Sequence, residues 1–240
     1  MHFTIGALVL AASATLVGAT IQGSIGFGMN LVTVPLLALV LPDALPVTVV
    51  LLGIPISIAM LRHEHQALDR AGFSWIITGR VPGTLLGAWV VATVSTAALQ
   101  GLIGAFVLTF VVASLVTPPI PVQRSTQIAA GAVSGVTGTA AGIGGPPIAL
   151  LYQRHAGPQM RSTLAATFFF GTLLSITTLS LARQVSWDQV WLALGLAPLV
   201  VLGSSGGRRF HDVLDRGWMR PAVLLFATVS AAVVIVDAIV

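Results

Sequence analysis

The 240-residue sequence contains no cysteine, no lysine and few charged residues of any kind. The absence of cysteine excludes disulfides, thiol catalysis and thiolate metal sites. Charged residues make up 8% of the chain and hydrophobic residues 56%, which is far from the composition of a soluble domain. Arginines alone carry the formal net charge of +4. The composition therefore predicts an integral membrane protein, whose arginines report topology and not nucleic-acid binding.

Long apolar segments recur along the chain, and about 20 helical residues are enough to span a hydrocarbon core. The expected crossing helices are Ala44 to Leu61, Phe73 to Val94, Leu99 to Val116, Thr163 to Ala182, Trp187 to Leu202 and Trp218 to Ile239. Residues 31–61 are too long for one helix and contain four prolines, so we expect a break at Leu41-Pro42-Asp43. Pro146 to Tyr152 is too short to cross and leads into a polar segment, Gln153 to Arg161.

A glycine-rich interruption of the apolar sequence occurs twice. The first copy is Gly26-Phe27-Gly28-Met29-Asn30, and the second is Gly142-Ile143-Gly144-Gly145-Pro146-Pro147. A constant separation of 116 residues aligns the two copies without gaps. The same separation pairs Pro42 with Pro158, Trp75 with Trp191, Gly79 with Gly195, Pro82 with Pro198, Gly87 with Gly203, Gly101 with Gly217 and Phe110 with Phe226. We therefore expect two similar repeats, residues 1–120 and 121–240, in a single membrane domain.

The arginines discriminate between two topologies. If each half has four transmembrane helices, the arginines are divided almost evenly between the two sides of the membrane. If each half instead opens with a hairpin that enters and leaves on one side, ten arginines share a side and only Arg183 lies opposite. The ten are Arg62, Arg70, Arg80, Arg124, Arg154, Arg161, Arg208, Arg209, Arg216 and Arg220. The positive-inside rule favours the hairpin arrangement.

The predicted fold is therefore all-α, with two inverted repeats, each a helix hairpin with a Gly-rich tip followed by three transmembrane helices. Each repeat makes three net crossings, so the two tips approach the midplane from opposite faces. We expect a multi-pass protein of the cell (inner) membrane with both termini on the non-cytoplasmic side. Phe3 to Ile21 is long enough to cross completely, so the arginines leave open whether the first hairpin is re-entrant or fully spanning.

The glycine tips predict a binding site, because non-helical backbone at membrane depth is tolerated only where it is buried in protein or lines a polar cavity. Glycines let amide groups converge on a ligand, and helices that begin near Met29 and Pro146 direct their positive ends at the same space. Such a site favours an anion. The predicted substrate-binding residues are Gln22, Ser24, Gly26, Phe27, Gly28, Asn30, Arg80, Thr137, Thr139, Gly142, Gly144 and Gly145. The alternative interpretation is that the glycines only allow close helix packing.

Other polar residues have competing interpretations. Arg80 is either a counter-charge for the anion or a side chain that extends to the interface. His63-Glu64-His65 has charged neighbours and no third ligand, which favours a solvated loop, so no metal and no cofactor are predicted. The segment Gly131 to Gly135 places Ser134 out of step with the usual spacing of a hydrolase motif. No enzyme is predicted.

The paired tips resemble the TauE/SafE family of sulfite and organosulfonate exporters. The resemblance covers nearly the whole chain, with two halves that each open on a Gly-rich motif followed by proline, here Gly26-Phe27-Gly28 with Pro35 and Gly142-Ile143-Gly144-Gly145-Pro146. It implies transport of small sulfur-containing anions such as sulfite or sulfoacetate, usually outward. Met29 departs from the family pattern, which often has another glycine there.

The sequence thus predicts a secondary transporter, an exporter of a small anion, that works by alternating access at a midplane site between the tips. The expected partners are the anion and the lipid bilayer, without nucleic acid, and a homo-oligomer is left open. An anion channel with re-entrant hairpins is the alternative, and saturation and counterflow distinguish the two. The exact anion, the coupling ion and the direction of transport are also left open.

Overall fold

The computed structural model describes residues 4–64, 67–116, 118, 120–155, 157–209, 228 and 232, without the side chains of residues 63 and 64. Throughout this described part the chain is helical, with turns and short connections and no strand. Apart from residues 228 and 232, the expected helix Trp218 to Ile239 lies outside it, as do Arg216, Arg220 and the side chains of His63-Glu64-His65.

Among its described residues, the first half contains five α-helices and a short 3₁₀ turn between the second and the third of them. They are α1 (Ile5–Ile25), α2 (Met29–Val40), the turn Pro42–Ala44, α3 (Val47–Glu64), α4 (Arg70–Thr93) and α5 (Thr96–Val116). Helix α1 begins after Thr4, whose hydroxyl accepts a hydrogen bond from the Ala7 amide, and it ends at Gly26. The break predicted at Leu41-Pro42-Asp43 is confirmed, because α2 ends at Val40 and the turn begins at Pro42.

The second half contains four described helices. They are α6 (Arg124–Ala140), α7 (Gly145–Tyr152), α8 (Gly157–Leu181) and α9 (Trp187–Arg209). Helix α7 has only eight residues, which agrees with the prediction that the segment Pro146 to Tyr152 is too short to cross the membrane. Helix α8 begins six residues before the predicted Thr163, inside the segment expected to be polar loop. Pro158 fits the first turn of a helix, which allows this earlier start.

The helix bounds follow the same separation of 116 residues as the sequence motifs. Shifted by that amount, α4 covers residues 186–209, and α9 spans Trp187–Arg209. Shifted α3 covers residues 163–180, which lie within α8. The main helix contacts join one half to the other. Helix α4 packs mainly on α6, α1 packs mainly on α9, and α3 and α8 pack on each other.

Five of the described helices are long and apolar enough to cross a membrane, namely α1, α4, α5, α8 and α9. Large apolar side chains cover their outward faces, with Leu85, Trp89 and Trp191 each more than half exposed. Such an exterior is suited to lipid and not to water. The protein is therefore a multi-pass helical membrane protein, and α1, with 21 residues, has the length of a full crossing.

Candidate functional site

The two glycine tips meet in the interior of the helix bundle. The side-chain amide of Asn30, in the first turn of α2, donates a hydrogen bond of 2.5 Å to the Gly142 carbonyl. Phe27 of the first tip lies against Gly145 of the second. The structure thus brings together two segments that are more than a hundred residues apart in the chain.

The first tip is a tight reversal between α1 and α2. Gly26 and Gly28 have φ values of +93° and +112°, a region that residues with a Cβ rarely adopt. The Gly26 amide donates to the Gln22 carbonyl and so ends α1. The side-chain carbonyl of Gln22 accepts a 3.1 Å bond from the Met29 amide, which satisfies one free donor at the start of α2.

The second tip is held by hydroxyl groups of α6. Thr137 donates to the Ile143 carbonyl at 2.8 Å, and Ser134 donates to the Gly144 carbonyl. Gly142 supplies the left-handed turn, with φ +71°. Pro146 and Pro147 then occupy the first turn of α7, where the missing amide hydrogens cost little.

A cavity of about 50 Å³ lies between the tips. Since one water molecule takes up roughly 30 Å³ of liquid volume, the space suits a group of a few heavy atoms. Seven predicted residues line it: Gln22, Gly28, Asn30, Arg80, Gly142, Gly144 and Gly145. The other lining residues are Met29, Leu31, Val49, Val50, Gly53, Ile56, Gly138, Ile143, Pro146, Phe168, Thr172 and Ser175.

Among the described residues, Arg80 is the only charged one that lines this cavity, and it is 3% exposed. Its Nη1 donates a 2.6 Å hydrogen bond to the Ser134 hydroxyl, whereas its Nε has no partner. The guanidinium lies flat against Gly171 of α8, where any Cβ would overlap it. Within the described residues no carboxylate pairs with Arg80. The buried guanidinium therefore does not extend to the interface, and it lacks the counter-ion that a buried charge normally requires.

The starts of α2 and α7 add to the positive potential of the cavity, since each helix directs its N-terminal end toward it. Few amide hydrogens are free there, however. The Met29 amide is bound by Gln22, and Pro146 and Pro147 have none. The helix ends therefore contribute mainly a field, and the guanidinium of Arg80 is the strongest hydrogen-bond donor.

Five predicted residues lie outside the cavity and support its walls: Ser24, Gly26, Phe27, Thr137 and Thr139. Ser24 donates to the Thr20 and Gly207 carbonyls at 2.9 Å, which joins α1 to α9. Thr139 shares a 2.7 Å hydrogen bond with Ser175 of α8. Phe27 packs edge to face on Phe110 of α5. These contacts position the tips without facing the enclosed space.

The lining residues that were not predicted from the sequence come chiefly from α3 and α8. Phe168, Thr172 and Ser175 lie three or four residues apart, which places them on one helix face toward the cavity. That spacing is visible in the sequence, but nothing there distinguishes this face from the others. Ser134, considered above only as part of a hydrolase motif, bridges Arg80 and the Gly144 carbonyl.

A multi-pass helical protein with a small interior cavity lined by a buried arginine has the architecture of a solute transporter. Residues 10–234 match the model of the family described as Sulfite exporter TauE/SafE. The chain therefore belongs to the TauE/SafE sulfite exporter family, whose members are membrane transporters and not enzymes. No curated protein and no solved structure matches the chain.

Proposed function

We propose that this protein is a secondary transporter that exports a small sulfur-containing anion, and that the anion binds between the two glycine tips. The observation that supports this proposal is the environment of Arg80. Its buried guanidinium has an Nε without a hydrogen-bond partner, and no acidic side chain among the described residues lines the cavity beside it. A bound oxyanion would supply the missing charge and accept the free hydrogen-bond donors. The N-terminal ends of α2 and α7 favour the same sign of ligand.

The size of the cavity favours sulfite among the anions that the family suggests. About 50 Å³ accommodates a compact oxyanion of four heavy atoms, whereas sulfoacetate and taurine each carry an additional two-carbon chain. We therefore rank sulfite above the organosulfonates as substrate.

Alternating access follows from how the halves share the site. Each half contributes one tip, and the main helix contacts are exchanged between the halves. If the halves are inverted repeats, with the arginine-rich side in the cytoplasm and both termini outside, one half moving against the other opens the cavity to each side in turn. We also propose that the protein lies in the inner membrane with both termini outside the cytoplasm.

The test is uptake of radiolabelled sulfite into proteoliposomes, with and without a proton gradient. Unlabelled sulfoacetate, taurine, sulfate and thiosulfate serve as competitors. We expect saturable uptake with counterflow, and weaker competition by the longer organosulfonates. Flux that neither saturates nor shows counterflow would assign a pore, and no uptake by correctly folded protein would refute the proposed substrate class.

A matched pair of threonines on α8 tests whether the cavity is the binding site. Thr172 lines the cavity, whereas Thr177 is exposed and bonds only the Leu173 carbonyl of its own helix. Thr172→Val should raise KM for sulfite about fivefold, since one hydrogen bond contributes roughly 1 kcal/mol. Thr177→Val should leave KM unchanged. Equal effects of the two substitutions would exclude the cavity as the site.

A further inference from the structure

A second cavity, which is open to the surface, lies at the opposite end of α7 from the glycine tip. It has a volume of about 430 Å³, and the linker between the two halves forms part of its wall. Gln153, Arg154 and His155 supply its polar side, and no acidic residue lines it. We refer to this cavity as the vestibule. Its volume is sufficient for a small anion that retains part of its hydration shell.

An apolar cluster connects the wall of the vestibule to the wall of the central cavity. The cluster consists of Ile76, Ile148, Ala149, Leu151, Tyr152, Leu164 and Phe168, and we refer to it as the plug. Leu151 also lines the vestibule, and Phe168 also lines the central cavity. An anion cannot cross packed apolar side chains without losing its hydration uncompensated. The plug therefore has to open for any passage between the two cavities.

Tyr152 fastens the plug through hydrogen bonds to both halves of the protein. Its side chain is fully buried, and its hydroxyl donates a 2.7 Å bond to Asp69, just before α4. The same hydroxyl accepts a 3.1 Å bond from the side-chain amide of Gln127 in α6. Asp69 is itself held, since its carboxylate accepts from the Gly72 amide. The tyrosine ring lies 5.1 Å from the ring of His155 at the vestibule.

We infer that the vestibule is a second anion-binding site, which an anion reaches from the Arg154 side before it reaches the central cavity. The hydrogen bond from Tyr152 to Asp69 keeps the plug closed between the two cavities. The inference rests on the proposed passage of an anion through the central cavity. Arg154 attracts the anion, and separation of α7 from α4 then lets it advance to Arg80.

The absence of native cysteine makes thiol accessibility a direct test of the plug. A Ser175→Cys reporter places a single thiol in the central cavity, and the anionic reagent sulfonatoethyl methanethiosulfonate is added from the Arg154 side. Tyr152→Phe should accelerate modification about tenfold, since the bond it removes is a buried one to a carboxylate. Gln127→Leu should act in the same direction but less strongly, and the control Thr177→Val should have no effect.

The side of the membrane from which the thiol reagent is added provides a second criterion. Acceleration by Tyr152→Phe is expected from the Arg154 side alone. Unchanged modification in both Tyr152→Phe and Gln127→Leu would overturn the role of Tyr152. Equal acceleration from the two sides would also overturn it, because a generally loosened bundle has no sidedness.

The vestibule is tested with a Gln153→Cys reporter and two reagents of opposite charge. The anionic reagent should react several-fold faster than its cationic analogue, trimethylammonioethyl methanethiosulfonate. Arg154→Gln should abolish that preference, while Arg62→Gln, at the exposed end of α3, should preserve it. If both substitutions reduce the preference equally, the surface potential is general and the vestibule is not a site. Neither assay uses sulfite, so failure of the sulfite assignment is detected separately.

Discussion

The two glycine tips share a left-handed first glycine, Gly26 and Gly142, but differ in their chemistry. Positions related by the 116-residue separation show where they diverge. Gln22 in the first half corresponds to Gly138 in the second, and Gly18 corresponds to Ser134. Arg80 corresponds to Leu196, a buried residue of the apolar core. The first half thus supplies the charged and amide side chains, while the second supplies space and hydroxyl groups.

The difference is clearest at the positions around the guanidinium of Arg80. At position 138 glycine leaves room for the guanidinium, since a Cβ there would lie 3.0 Å from Nη2 of Arg80. At position 134 the serine hydroxyl connects that guanidinium to the second tip. The equivalent Gly18 instead allows the Met29 carbonyl to approach α1 closely. A single cation therefore serves both tips, and each half depends on the other.

The largest effect is expected where a side chain is added at a tip. Gly28→Val forces a branched residue into φ +112°, and Gly144→Val places a Cβ 3.0 Å from the Ser134 carbonyl. Either substitution should reduce sulfite uptake to background while the protein still inserts in the membrane. Gly101→Val is the control, because a Cβ at Gly101 meets no atom within 4 Å. Normal flux in both tip variants would refute the tip site.

The next effect concerns the buried charge of the central cavity, which comes from the first half. Arg80→Met makes the first half resemble the second at this position and should lower kcat/KM for sulfite about 100-fold, as expected when a buried charge loses its ion-pair partner. The melting temperature should stay constant or rise, because an unpaired buried cation is destabilising. Arg209→Gln, at the exposed end of α9, is the control. Loss of transport together with a lower melting temperature would indicate a structural role for Arg80.

A smaller effect is expected from uncoupling the two tips. Asn30→Ala removes the hydrogen bond to the Gly142 carbonyl and should raise KM for sulfite about tenfold. Asn30→Asp should impair uptake more than alanine does, since it adds a negative charge at an anion site. Uptake kinetics at constant ionic strength provide the measurement. An aspartate variant that transports better than the alanine variant would contradict an anionic ligand.

The smallest effect on transport is expected at Ser24, which lies next to the first tip in sequence but bonds the Gly207 carbonyl of α9. Ser24→Ala should leave KM and kcat unchanged and lower the free energy of unfolding by about 1 kcal/mol. Thermal unfolding in detergent and sulfite uptake measure the two quantities. A change in KM would place Ser24 at the site after all.

Much of the fold was predictable because membrane helices are specified by local sequence. Apolar runs of sufficient length and prolines such as Pro42 locate the helices and their breaks whatever packs around them. The start of α8 was missed because Gln153 to Arg161 is polar, and polarity alone does not stop a helix that has proline in its first turn. Seven of the twelve predicted site residues line the cavity, since the tips themselves were visible as glycine motifs.

The sequence by itself determined that the chain lies in a membrane, that it contains two similar halves and where each tip falls. These properties depend on composition and on a fixed separation along the chain. Only the tertiary structure decided that the tips meet, that Arg80 is buried beside Ser134, and that Ser24 faces α9 instead of the cavity. Those facts depend on which helix of one half packs against which helix of the other. In lipid the choice rests on close fit and hydrogen bonds between distant residues, which leave no periodic signal in the sequence.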